Sequence, residues 1–121
     1  MDFSDLFRLE TETVNFAAGE TILKDGEMSE VMYVVMKGMA EVRLDKQVVF
    51  TAHAGDLLGE MGLVDHSPGS ADVVAITDCR LVAIDKHRFL FLIQQTPNFA
   101  LEVMKVIADR LRAMNRHAIG G

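Results

Sequence analysis

Cysteine is almost absent from this 121-residue chain, and the lone Cys79, within Asp78-Cys79-Arg80-Leu81, rules out an internal disulfide. Its strand-like setting suits a small buried apolar side chain better than a reactive thiol. Cations are scarce as well. Twelve Lys and Arg against eighteen Asp and Glu give a formal charge of -6, which argues against a nucleic-acid surface, because phosphate contacts need clustered basic residues. The one basic cluster, Arg110, Arg112 and Arg116, lies on a predicted helix beside Asp109 and reads as a solvated helix face. Long apolar runs are missing: Val31 to Met36 is far too short to span a membrane, and Met1 to Asp5 lacks the basic start and apolar stretch of a signal peptide. A cytoplasmic location is expected. His53, His66, His87 and His117 are scattered without a paired carboxylate, and no GxSxG, Walker loop or HExxH occurs, so neither a metal site nor a catalytic residue is expected. The chain reads as a binding or interaction domain, not an enzyme.

What is present is a hydrophobic fraction of 50%, enough to fill one core, in a length that leaves no room for a second folded domain. The eight methionines read as adaptable core filler. Seven of the nine glycines fall between Gly19 and Gly69 and punctuate short apolar runs as β structure requires. The predicted strands are Val31 to Met36, ending at Lys37-Gly38; the alternating Ala40 to Leu44; Val48 to Ala52 after an Asp45-Lys46 hairpin turn; Asp72 to Thr77; and Arg80 to Ile84. From Asp85 the period becomes helical. Lys86 to Gln95 predicts a short helix broken at Thr96-Pro97, where Thr96 caps and Pro97 opens a second helix running toward Asn115. On that helix Met104, Ile107, Leu111, Met114 and Ala118 form an apolar seam, read either as core or as a dimer interface. At the other end, Asp2 to Leu9 predicts a short helix with Phe3, Leu6 and Phe7 turned inward.

The segment with most chemistry is Leu58-Gly59-Glu60-Met61-Gly62-Leu63-Val64-Asp65-His66-Ser67-Pro68-Gly69-Ser70-Ala71. Gly59 and Gly62 allow the backbone to approach a ligand closely, and a helical turn beginning near Glu60 aims free N–H groups at an anion despite the acidic balance of the whole chain. Glu60 can accept hydrogen bonds from a sugar hydroxyl, or serve only as a helix N-terminal carboxylate. Ser70 can donate its hydroxyl and N–H to a phosphate oxygen, or act as an ordinary turn residue.

In order and spacing these pieces resemble the cyclic nucleotide-binding domain family, the regulatory domain of catabolite activator protein-like sensors. The resemblance runs from about Val14 to Met114 and rests on Phe16-Ala17-Ala18-Gly19-Glu20-Thr21-Ile22-Leu23 with Lys24-Asp25-Gly26-Glu27 after it, on Met32-Tyr33-Val34-Val35-Met36-Lys37-Gly38, and on Gly55-Asp56-Leu57-Leu58-Gly59-Glu60. It implies a mainly β fold with flanking helices: an eight-stranded double-stranded β-helix, a jelly-roll-like β-roll over about 12–85. A short N-terminal helix, a cassette helix and two C-terminal helices, B and C, over about 86–117 complete a single domain spanning 1–121. It also implies a ligand, cAMP or cGMP, held by Leu58, Gly59, Glu60, Met61, Gly62, Gly69, Ser70 and Ala71.

One position departs from the family pattern. Where the family has an Arg followed by a small residue and Ala to hold the cyclic phosphate, this chain has Gly69-Ser70-Ala71. Glycine brings no charge, and no Arg lies between Arg43 and Arg80. His66 is close but does not supply a guanidinium's fork of donors, and a guanidinium from Arg80 or the C-terminal helix would have to reach in from a distance. Two expectations follow: a cyclic nucleotide sensor of weakened affinity, transmitting occupancy through its C-terminal helix, or a fold that has lost nucleotide and acts by dimerisation or protein contact. A DNA-binding region is not expected within the chain, and nucleic acid and membrane are not expected partners. If the chain is whole, its output is a protein contact, with a homodimer through Met104, Ile107, Leu111 and Met114 as the version expected.

Overall fold

The apolar run beginning at Val31 does not alternate with polar residues because the strand it forms is covered on both faces. In the computed structural model, which describes residues 1–69 and 71–120, this strand is β3 (Val31–Lys37). Ser70 and Gly121 lie outside the described residues, as do the side chains of 117–120, Ala118 of the seam among them. β3 sits in a four-stranded antiparallel sheet with β1 (Val14–Phe16), β8 (Cys79–Asp85) and β6 (Leu57–Leu58), in the order β1-β8-β3-β6. The pleat sends Met32 and Val34 to one face and Tyr33 and Val35 to the other.

A second sheet has the order β2-β7-β4-β5, built from β2 (Thr21–Leu23), β4 (Ala40–Leu44), β5 (Gln47–Ala52) and β7 (Asp72–Ala75). Its inner residues Ile22, Val42, Val73 and Ala75 pack against Val35, Leu58, Cys79 and Leu81 of the first sheet. This is the expected β-roll of eight strands. β4 and β5 pair through Leu44↔Gln47, leaving Asp45 and Lys46 as a two-residue loop with φ of 51° and 67°. Positive φ at both loop positions matches the right-handed twist of a hairpin.

The other face of the first sheet is covered by helices. A 3-10 helix, Phe3–Phe7, buries Phe3 and Phe7 and is capped by Asp2, which accepts a hydrogen bond from the Ser4 N–H. Leu6, expected inward, is instead 38% exposed; Phe3 and Phe7, at 2% and 3%, fill the space against the sheet and leave Leu6 at its edge. α2 occupies Lys86–Gln95 as the change of period predicts, with Asp85 capping it through the Arg88 N–H. At the break, the Thr96 carbonyl accepts from the Phe99 N–H, and α3 runs Pro97–Gly120. Phe99 is fully buried and meets Phe3 and Phe89 edge to face at 5.8 and 5.7 Å, joining the three helices that cover this sheet face. The core face of α3 is carried by Phe99 and Val103, with Val106 and Ile107 against it. Met104 and Leu111 of the predicted seam are 58% and 47% exposed, so these two are not core.

Candidate functional site

β6 ends at Leu58, where the chain turns through Gly59 with φ of 77° into α1 (Glu60–Asp65). A Cβ on Gly59 would lie 2.9 Å from Leu23 Cδ1, so glycine here permits both the left-handed turn and the close approach to β2. This turn delivers Glu60 into the interior. Its carboxylate is only 2% exposed; Oε1 accepts from Arg110 Nη1 at 2.8 Å, while buried Oε2 finds no partner among the described residues. Burial pushes the Glu60 carboxyl above the usual carboxylate range, with the Arg110 guanidinium pulling in the opposite direction. Desolvation prevails because the carboxyl is almost fully buried, which outweighs Arg110 and the hydrogen bond from its own backbone.

α1 stops after six residues at His66, whose φ of 54° is left-handed, and Asp65 Oδ1 then accepts from the Ser67 N–H at 3.2 Å. The returning segment is clasped to the loop between β2 and β3. Gly69 donates its N–H to the Glu27 carbonyl at 3.0 Å and accepts from the Gly26 N–H at 2.9 Å. The Asp25 N–H, in turn, is held by Asp72 Oδ1 at 2.8 Å. A Cβ on Gly69 would stand 3.2 Å from the Lys24 carbonyl oxygen and 3.5 Å from that of Glu27. Absence of a side chain at 69 therefore permits this close approach.

Between cassette, β2–β3 loop and α3 lies a cavity of ≈ 320 Å³. Of the residues singled out by sequence, Leu58 to Gly62, Gly69 and Ala71 line it; Ser70 is outside the described residues. Sequence reasoning missed the opposite wall, formed by Lys24, Glu27 and Ser29 of the β2–β3 loop and by Arg110, Leu111 and Met114 of α3.

Arg110 is the main correction, because its side chain is only 12% exposed and does not belong to a solvated face. Besides Glu60, it donates from Nη2 to the Leu57 carbonyl at 2.7 Å and lies over the Phe50 ring at 4.1 Å. A guanidinium from the C-terminal helix does reach the cavity, but it is engaged by the Glu60 carboxylate and the Leu57 carbonyl. The signal was in the register: 110 follows Val103, Val106 and Ile107 at intervals of seven, four and three, which places it on the buried side of the helix. Among the described residues no group of three or more His, Cys, Asp or Glu could hold a metal ion, and no helix is long and apolar enough to cross a membrane.

Comparison with known proteins places this geometry. The solved catabolite activator protein of Thermus thermophilus superposes with a TM-score of 0.80 at 27% identity, covering 94% of this chain and 56% of that one. Among curated proteins, the cyclic AMP receptor protein of Thermus thermophilus is 31% identical over 80% of this chain and 47% of its own length. Lysophospholipase NTE1 of Chaetomium globosum is 34% identical over 89% of this chain but only 7% of its own length. The chain thus spans half or less of these curated relatives. The sequence profile of the cyclic nucleotide-binding domain matches residues 13–96, the whole β-roll and α2, and with the fold and the cassette turn in place the chain belongs to the cyclic nucleotide-binding domain family.

Proposed function

We propose that this regulatory-type domain is a cyclic nucleotide sensor of weakened affinity, which passes occupancy of its cavity to α3. The observation that carries this reading is Glu60, a residue of the cavity wall whose buried Oε2 has no partner among the described residues. A ligand hydroxyl would satisfy it. Leaving such an oxygen unpaired is costly, so an O–H donor arriving with a ligand makes a favourable exchange. Weakness follows from Gly69, since losing one member of a guanidinium–phosphate pair costs on the order of 2–5 kcal/mol, roughly thirtyfold to several-thousandfold in affinity.

Calorimetric titration of cAMP and cGMP into the purified chain is expected to give binding weaker than the low micromolar range. Low-micromolar or tighter affinity would contradict the assignment of weakness to Gly69. Gly69→Arg is expected to tighten cAMP or cGMP at least tenfold, at a stability cost of about 1 kcal/mol because the Lys24 carbonyl must give way to the new Cβ. A folded Gly69→Arg protein that binds no better would point to loss of the pocket itself.

The exposure of Met104 and Leu111 favours a second reading, in which the fold acts by homodimerisation through Met104, Ile107, Leu111 and Met114. Sedimentation equilibrium decides it. A strict monomer at high concentration removes the homodimer.

A further inference from the structure

Resting on the reading of the cavity as a nucleotide-class site, we propose that its preferred ligand is an uncharged nucleoside, a flat heterocycle carrying a ribose diol without phosphate. Charge around the cavity is the first argument. Lys24 and Arg110 face Glu27, Glu60 and Asp65, so the described lining carries one net negative charge within a chain of formal charge -6. Arg110 is already committed to Glu60, the Leu57 carbonyl and the Phe50 ring. Lys24 is exposed at the rim with Glu27 and Asp65, which oppose an anion approaching it.

Backbone chemistry at the cassette's far end points the same way. The N–H of Gly69 is taken by the Glu27 carbonyl, so neither its side chain nor its amide is free to meet a phosphate. A cyclic phosphate entering here would surrender hydration beside carboxylates, whereas a neutral ligand has no charge to desolvate. What the cavity does provide is a hydroxyl acceptor and an apolar wall. Glu60, in the cavity wall, has a buried Oε2 with no partner among the described residues, and Leu58, Met61, Val73, Leu111 and Met114 offer surface for a heterocycle. The volume of ≈ 320 Å³ lies at the small end of the range that holds small-molecule ligands.

The test is a calorimetric comparison on the full chain of adenosine with cAMP, guanosine with cGMP, and adenosine with 2′-deoxyadenosine, at low and high salt. A nucleoside is expected to bind at least as tightly as its cyclic monophosphate. Its affinity should be unmoved by salt, while the cyclic monophosphate tightens as repulsion is screened. 2′-Deoxyadenosine is expected to bind at least tenfold more weakly than adenosine. If the cyclic monophosphates bind more tightly than the nucleosides, this proposal fails and the cyclic nucleotide reading stands. If nothing binds at millimolar concentration, both fail.

Discussion

Arg110→Ala is expected to lower the unfolding free energy by about 3–5 kcal/mol, because it removes the countercharge paired with a carboxylate that is 2% exposed. For a domain of this size the melting temperature should fall on the order of 10–20 °C in a thermal circular-dichroism scan. The loss is one of compensation more than of contact. Adding Glu60→Leu to Arg110→Ala should therefore recover part of the stability, since a buried ion pair replaced by apolar groups does far better than one broken in half. A melting temperature unchanged by Arg110→Ala would mean that Glu60 is solvated or neutral without it.

Proton linkage gives this prediction a second axis. Glu60 has its folded value raised above the ordinary 4.5, so between those two values the folded state holds a proton that the unfolded chain has released. The stability it contributes is full below the ordinary value and is lost as pH rises through the folded one. Without Arg110 the folded value rises further. The deficit of Arg110→Ala should consequently shrink as pH is lowered toward 4.5 and be largest at neutral pH.

Gly38→Ala is expected to cost about 3 kcal/mol or more, from two independent sources. Its φ of 101° is closed to L side chains, and the new Cβ would sit 2.4 Å from the Asp78 carbonyl oxygen and 2.9 Å from Cys79 Sγ. Nothing there can yield cheaply. Gly38 and Met39 carry the chain from β3 in one sheet to β4 in the other, and the Met39 carbonyl accepts from the Ile76 N–H at 2.9 Å. Gly19→Ala supplies the control, since φ is 92° there but no atom lies within 4 Å of its Cβ. It should lose only the conformational part, about 1–2 kcal/mol. Equal melting temperatures for the two variants would sink the steric argument.

Much of the fold was legible because its signals are local. Asp85 followed by a helical period gave α2 as Lys86–Gln95, and Asp45-Lys46 gave the hairpin. Boundaries set by distant partners were not. The strand expected over Asp72 to Thr77 stops at Ala75, because the N–H groups of Ile76 and Thr77 turn to the Met39 carbonyl. Cys79 is buried as expected, but it begins β8, one residue before the strand expected from Arg80 to Ile84. At the candidate site the sequence identified one wall, the contiguous cassette. The other wall comes from residues some 40 positions away on either side, and Arg110 was masked by the charged residues beside it on α3.

The two faces of the β1-β8-β3-β6 sheet give the molecule two separate dry compartments with a single shared partition. Leu57 and Leu58, neighbours in sequence at the mouth of the cassette, belong to opposite compartments: Leu57 packs under the helices, Leu58 between the sheets. The helices can therefore lift from their compartment while the one between the sheets stays sealed, so that motion of α3 does not have to be bought with opening of the roll. Glu60, two residues beyond that partition, is tied through Arg110 to α3, so one ion pair joins the roll to the helix that covers it.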